Sequence, residues 1–94
     1  MTVIRAPFFS AWLCRQHRRH KFTYKNCAEH LGVSPQTIDS YSCGRSHPQI
    51  MRFVPLCRFI AKVRGETTEA IILELLDVIE KDRIYRQNET THKN

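Results

Sequence analysis

FTYKNCAEHLGVSPQTIDSYSCGRSHP, residues 22–48, is two short helical segments broken by a three-residue turn. Thr23 is a strong N-cap, because its hydroxyl accepts from a free amide of the first turn. The helix it opens spans Tyr24 to about Leu31, with Cys27, Ala28 and Leu31 on the inner face. Gly32 stops it, since glycine enters the left-handed backbone region without steric cost. Ser34 then caps a second segment, and Pro35 fits its first position, where no amide hydrogen is needed. That segment runs to about Ser42, with Ile38 and Tyr41 facing inward, and Cys43-Gly44 closes it. Two helices crossing steeply over so short a turn need a small residue where they touch, and Ala28 supplies it. Val33 and Ile38 fill the remaining gap.

Upstream, a helix is expected from about Pro7 to His20. Phe8, Phe9, Trp12 and Leu13 lie on one side of it as core residues, at spacings of three and four. Arg18, Arg19, His20 and Lys21 follow at its C-terminal end, where cations complement the helix dipole. Downstream, Arg45-Ser46-His47-Pro48 reads as a loop. Ile50, Phe53, Val54, Cys57 and Ile60 keep helical spacing, but Pro55 removes one hydrogen bond and crowds the preceding turn. The expectation is a short first turn, then a regular helix from about Val54. Gly65 and Thr67-Thr68 mark a break and a new cap. A fifth helix follows to about Arg86, and its apolar residues cover an arc of roughly 220° at ~100° per residue, about twice what one core requires. The surplus calls for a second copy of the chain, with Ile72, Leu73, Leu76 and Ile79 as the interface. The competing reading is that the domain wraps this helix by itself. Polar residues 88–94 read as a flexible tail.

Composition narrows the function classes. The net charge is +6, unevenly spread: residues 1–65 hold 11 Lys/Arg against two acids, Glu29 and Asp39, and residues 66–94 hold four against seven. A basic body with an acidic C-terminal segment points to a polyanion partner for the body alone. No long apolar run is present, so the expectation is a soluble cytoplasmic protein with neither a spanning helix nor a secretory signal. Cys14, Cys27, Cys43 and Cys57 form no C-x-x-C pair and read as reduced, mostly packed thiols. Cys14-x-x-His17 and Cys27-x-x-His30 have the donor types of a tetrahedral zinc site, but the helical register turns Cys27 inward and His30 outward. No metal and no cofactor are assigned. No nucleophile–base signature or phosphate-cradling glycine loop is present, so an enzyme is not expected.

Thr23, Cys27-Ala28, Leu31-Gly32-Val33-Ser34, Ile38, Tyr41 and Gly44-Arg45-Ser46-His47-Pro48 together resemble the helix-turn-helix domains of phage Cro proteins and phage repressors, often called XRE-type. The resemblance covers roughly residues 13–60. Cys27 replaces the family's usual Leu, Ser42 replaces a frequent Glu, and Pro55 falls inside the family's fourth helix. The resemblance implies an all-α, five-helix bundle with a long C-terminal helix. Residues 1–65 would form the DNA-binding domain and residues 66–87 a dimerisation helix packed on it. It further implies a homodimeric repressor binding an inverted-repeat operator in double-stranded DNA.

The helix opened by Ser34-Pro35 would then enter the major groove, with Gln36, Thr37 and Ser40 at base edges. Gln suits adenine through a bidentate contact. The competing reading of Gln36 is an ordinary solvated first-turn residue. Lys21, Thr23, Tyr24, Lys25, Ser34, Arg45 and His47 would meet phosphates. Asp39 lies on the same helix, where it can tune specificity or pair with a base. The rival class is a protein-interaction module, such as an antitoxin-like adaptor that uses the apolar C-terminal helix to hold a protein partner.

Overall fold

The computed structural model describes the backbone of residues 5–92 and the side chains of residues 5–88. Five helices follow in order: α1 Pro7–His20, α2 Tyr24–Leu31, α3 Pro35–Ser42, α4 Ile50–Arg64 and α5 Thr68–His92. The described residues contain no strand. The chain is therefore the all-α bundle with a long C-terminal helix, and α1 to α3 start and stop where the local signals place them.

Those signals act through identifiable bonds. The Thr23 hydroxyl accepts from the Asn26 amide at 3.0 Å. Gly32 and Gly65 take left-handed φ of 72° and 70° at the ends of α2 and α4. Thr67 caps α5, accepting from the Ala70 amide at 3.2 Å. Ser34 occupies the N-cap position of α3, but its hydroxyl lies 3.3 Å from the Thr37 hydroxyl and caps no amide, which corrects the expected side-chain cap. α1 ends differently from α2 and α4. Lys21 closes it at φ 53°, the one non-glycine residue with positive φ among those described.

α1 also lacks a cap of its own, because Ala6 precedes it. Asp82 of α5 performs that role from 73 and 74 residues away. Its two carboxylate oxygens accept from the Phe8 amide at 2.8 Å and the Phe9 amide at 2.9 Å. Asp82 is 2% exposed, and Ile71, Leu75, Val78 and Asp82 form the inward stripe of α5. A second tie between the same helices runs through Glu74. Its carboxylate accepts from Trp12 Nε1 at 2.6 Å and from Arg64 at 2.7 and 3.2 Å. The Arg64 hydrogen bonds hold the Glu74 carboxyl below the usual carboxylate range, with the Trp12 bond assisting against the effect of burial.

Three expectations need correction. α4 is continuous from Ile50, with Pro55 inside it, rather than starting near Val54. Proline lacks the amide hydrogen that would bond the Met51 carbonyl, and Met51 lies on a turn open to water. Ile50 and Val54, expected inside, are exposed, and so is Phe8; α4 fills the core from Leu56 onward, through Cys57, Phe59, Ile60 and Ala61. Finally, the α5 backbone stays helical through His92 rather than fraying from Asn88. Lys93 and Asn94 lie outside the described residues.

Candidate nucleic-acid interface

α3 is fixed from behind and left open in front. Ile38 and Tyr41 are buried, and the Tyr41 ring meets Phe9 of α1 edge-on at 5.6 Å. The C-terminal carbonyl of Ser42 is held by α1, accepting from the Ser10 hydroxyl at 2.6 Å and from the Cys14 thiol at 3.7 Å. The carbonyl of Gly44 accepts from the Arg5 and Ala6 amides, which ties the entry of the chain to the loop after α3. α2 and α3 meet over Gly32–Ser34, where the Val33 amide bonds the Ala28 carbonyl at 3.0 Å. An eight-residue helix with so many anchors has little freedom to tilt.

The open face of α3 carries Gln36 and Asp39, and Cys43 follows in register at its C-cap, all exposed. Their spacing of three and four places them along one stripe. Thr37 and Ser40, the other two residues expected at base edges, sit less freely. Both are half-buried. The Ser40 hydroxyl is 3.0 Å from that of Ser46, and the Thr37 hydroxyl pairs with Ser34. Asp39, expected to tune specificity or pair with a base, is exposed three residues on from Gln36.

Of the expected phosphate partners, Arg45 is placed beside this face by its pairing with Asp39. Lys21, Thr23, Lys25, Ser34, Arg45 and His47 are exposed. The Thr23 hydroxyl and carbonyl satisfy the Asn26 and Cys27 amides. The Tyr24 and Lys25 amides are then the ones a helix leaves without an internal acceptor. The Tyr24 side chain is half-buried, its ring centroid 4.4 Å from that of His17 with the planes tilted by 39°. Burial raises its hydroxyl pKa, so that group stays neutral. Arg45 reaches back to Asp39 at 3.5 Å, with both side chains more than half exposed. Such a surface pair is worth at most about 1 kcal/mol, so Arg45 can be recruited elsewhere at small cost.

The α5 residues expected at a dimer interface divide into two kinds. Leu73 is 70% exposed and Leu76 is 50% exposed. Ile72 and Ile79 are half-buried against the core. The bundle therefore does not wrap this face by itself. The two C-x-x-H pairs do not converge. Cys27 is fully buried, and burial pushes its thiol up to about 12. No three His, Cys, Asp or Glu side chains among the described residues are placed to hold a metal ion. No helix among those residues is long and apolar enough to cross a membrane.

Comparison with family models, with curated proteins and with solved structures finds no match for this chain.

Proposed function

We propose that this chain is a sequence-specific, double-stranded-DNA-binding transcriptional regulator. It is a helix-turn-helix protein of the Cro and phage-repressor type, acting in the cytoplasm as a homodimeric repressor on an inverted-repeat operator. One observation carries the reading. α3 is clamped on its apolar side and exposed at Gln36 and Asp39, Arg45 reaches back to Asp39 at 3.5 Å, and Lys21 and Lys25 of the same basic body are exposed. A rigid helix with an exposed polar stripe and flanking cations fits the major groove, where side chains meet base edges while cations meet phosphate. The uncovered Leu73 and Leu76 support pairing of two copies through α5, which would set the two α3 helices about one DNA turn apart, ~34 Å.

The test is a salt series on random duplex DNA. Three cations per protomer make six in the dimer, so log Kobs against log salt should fall with a slope of roughly −5. Arg45→Ala removes two of the six and should flatten the slope by about 2. Salt-independent binding, or none, would overturn the proposal. A protein-binding module is the second reading, favoured by the exposure of Ile50 and Met51 at the start of α4. Salt-independent behaviour of the chain is what that reading expects.

A further inference from the structure

We propose that Asp39 reads a cytosine in the major groove. The inference rests on the DNA-binding reading above and names what the open stripe of α3 selects. Asp39 follows Gln36 by three residues on that stripe, and its side chain is 61% exposed. Its ion-pair partner, Arg45, comes from the loop beyond the helix and holds it only loosely at 3.5 Å. Thr37 and Ser40, by contrast, spend their hydroxyls on Ser34 and Ser46. The side chains left free to meet a base edge on this stripe are therefore Gln36, Asp39 and Cys43.

A carboxylate on a face built for DNA needs a reason. Residues 1–65 contain two acids against 11 Lys/Arg, and one of the two stands in the middle of this stripe. Brought to a polyanion it is repelled, unless it finds a hydrogen-bond donor. A carboxylate only accepts. In the major groove the base-edge donors are the N4 amine of cytosine and the N6 amine of adenine. Adenine sets an acceptor beside its donor, which matches the amide of Gln36 better than a carboxylate. Guanine offers two acceptors and repels Asp39. The carboxylate thus favours cytosine and actively rejects guanine at the same position, so that discrimination comes from repulsion as well as attraction. On docking, Arg45 is free to exchange Asp39 for a phosphate.

The experiment selects duplexes from a random pool with wild-type protein and with Asp39→Ala. Wild type is expected to select one C·G pair in each half-site that the variant does not. On the selected duplex, replacing that cytosine should weaken wild-type binding roughly tenfold and variant binding less than twofold. N4-methylcytosine at that position keeps the base pair but blocks the groove-facing donor. It should weaken wild type as much as a base change and leave the variant indifferent. Asp39→Ala should also bind random duplex more tightly, having lost a negative charge, while its thermal unfolding stays that of wild type. If both proteins select the same sequences with equal discrimination at every position, Asp39 is not a reader and this inference fails alone. If wild type binds no duplex, the DNA-binding reading fails and takes the inference with it.

Discussion

Replacing Asp82 by alanine tests how α1 is held. The carboxylate accepts two backbone hydrogen bonds, from the part-buried Phe8 amide and the buried Phe9 amide. Hydrogen bonds to a charged group are worth about 1.5–3 kcal/mol each, but burying the carboxylate offsets several kcal/mol of that sum. What alanine leaves behind decides the magnitude. The Phe9 amide would stay buried without an acceptor, a loss of about 1–3 kcal/mol, and the Phe8 amide would recover water at a loss of about 1. The expected destabilisation is about 2–4 kcal/mol, which for a chain of this size lowers Tm by roughly 10–25 °C. Asp82→Asn keeps one acceptor and should fall between wild type and alanine. Urea unfolding followed by circular dichroism measures both, with an unchanged slope on denaturant showing that the reference states are the same. A loss below about 1 kcal/mol for Asp82→Ala would refute the argument that α5 caps α1.

Three further outcomes follow from the same geometry. Glu74, held below the ordinary carboxylate range by Arg64, contributes stability that is present above about pH 4.5 and is lost as pH falls through its depressed folded-state value. Asp-to-amide logic applies here too: Glu74→Gln should be less stable at neutral pH, and its unfolding free energy should converge on that of wild type in acid; parallel curves would deny the linkage. Lys21→Gly relieves a left-handed lysine at φ 53° and should raise Tm by a few degrees, roughly 2–4 °C, while weakening binding to random duplex. A lower Tm would show that the conformation carries no strain. Leu76→Asp places a charge on the uncovered face of α5 and should yield a folded monomer by sedimentation equilibrium. A dimer that persists would reject that interface.

The parts of the fold that were legible are those written in local chemistry. Pro7, Thr23, Gly32, Pro35 and Gly65 each act within a turn of their own position, so α1, α2 and α3 could be bounded from the residues alone. What escaped depends on partners distant in sequence. Nothing beside Phe8 announces that Asp82 will cap its helix; the one clue is an acid falling in register with Ile71, Leu75 and Val78. Pro55 signals a break by its own chemistry, yet the helix continues because the acceptor it abandons belongs to the exposed turn of Met51. Ile50 and Val54 keep helical spacing, but spacing does not tell where neighbours stop covering a helix. In the candidate interface, Gln36, Asp39 and the exposed cations were readable from composition and position. What was not readable is the engagement of the Ser40 hydroxyl by Ser46, arriving from the next loop, and of Asp39 by Arg45.

The proline within α4 has a consequence for motion. Without an amide hydrogen from Pro55, the Met51 carbonyl does not bind the first turn of α4 to the remainder, so that turn is fastened by one fewer link. The Arg52 and Phe53 amides bond Gln49 at the mouth of the preceding loop, which makes the loop and the first turn a unit. Local breathing should stop at the ring. In native-state hydrogen exchange, the amides of residues 50–54 should trade with solvent well before those from Cys57 to Ala61, under conditions where the bundle never opens.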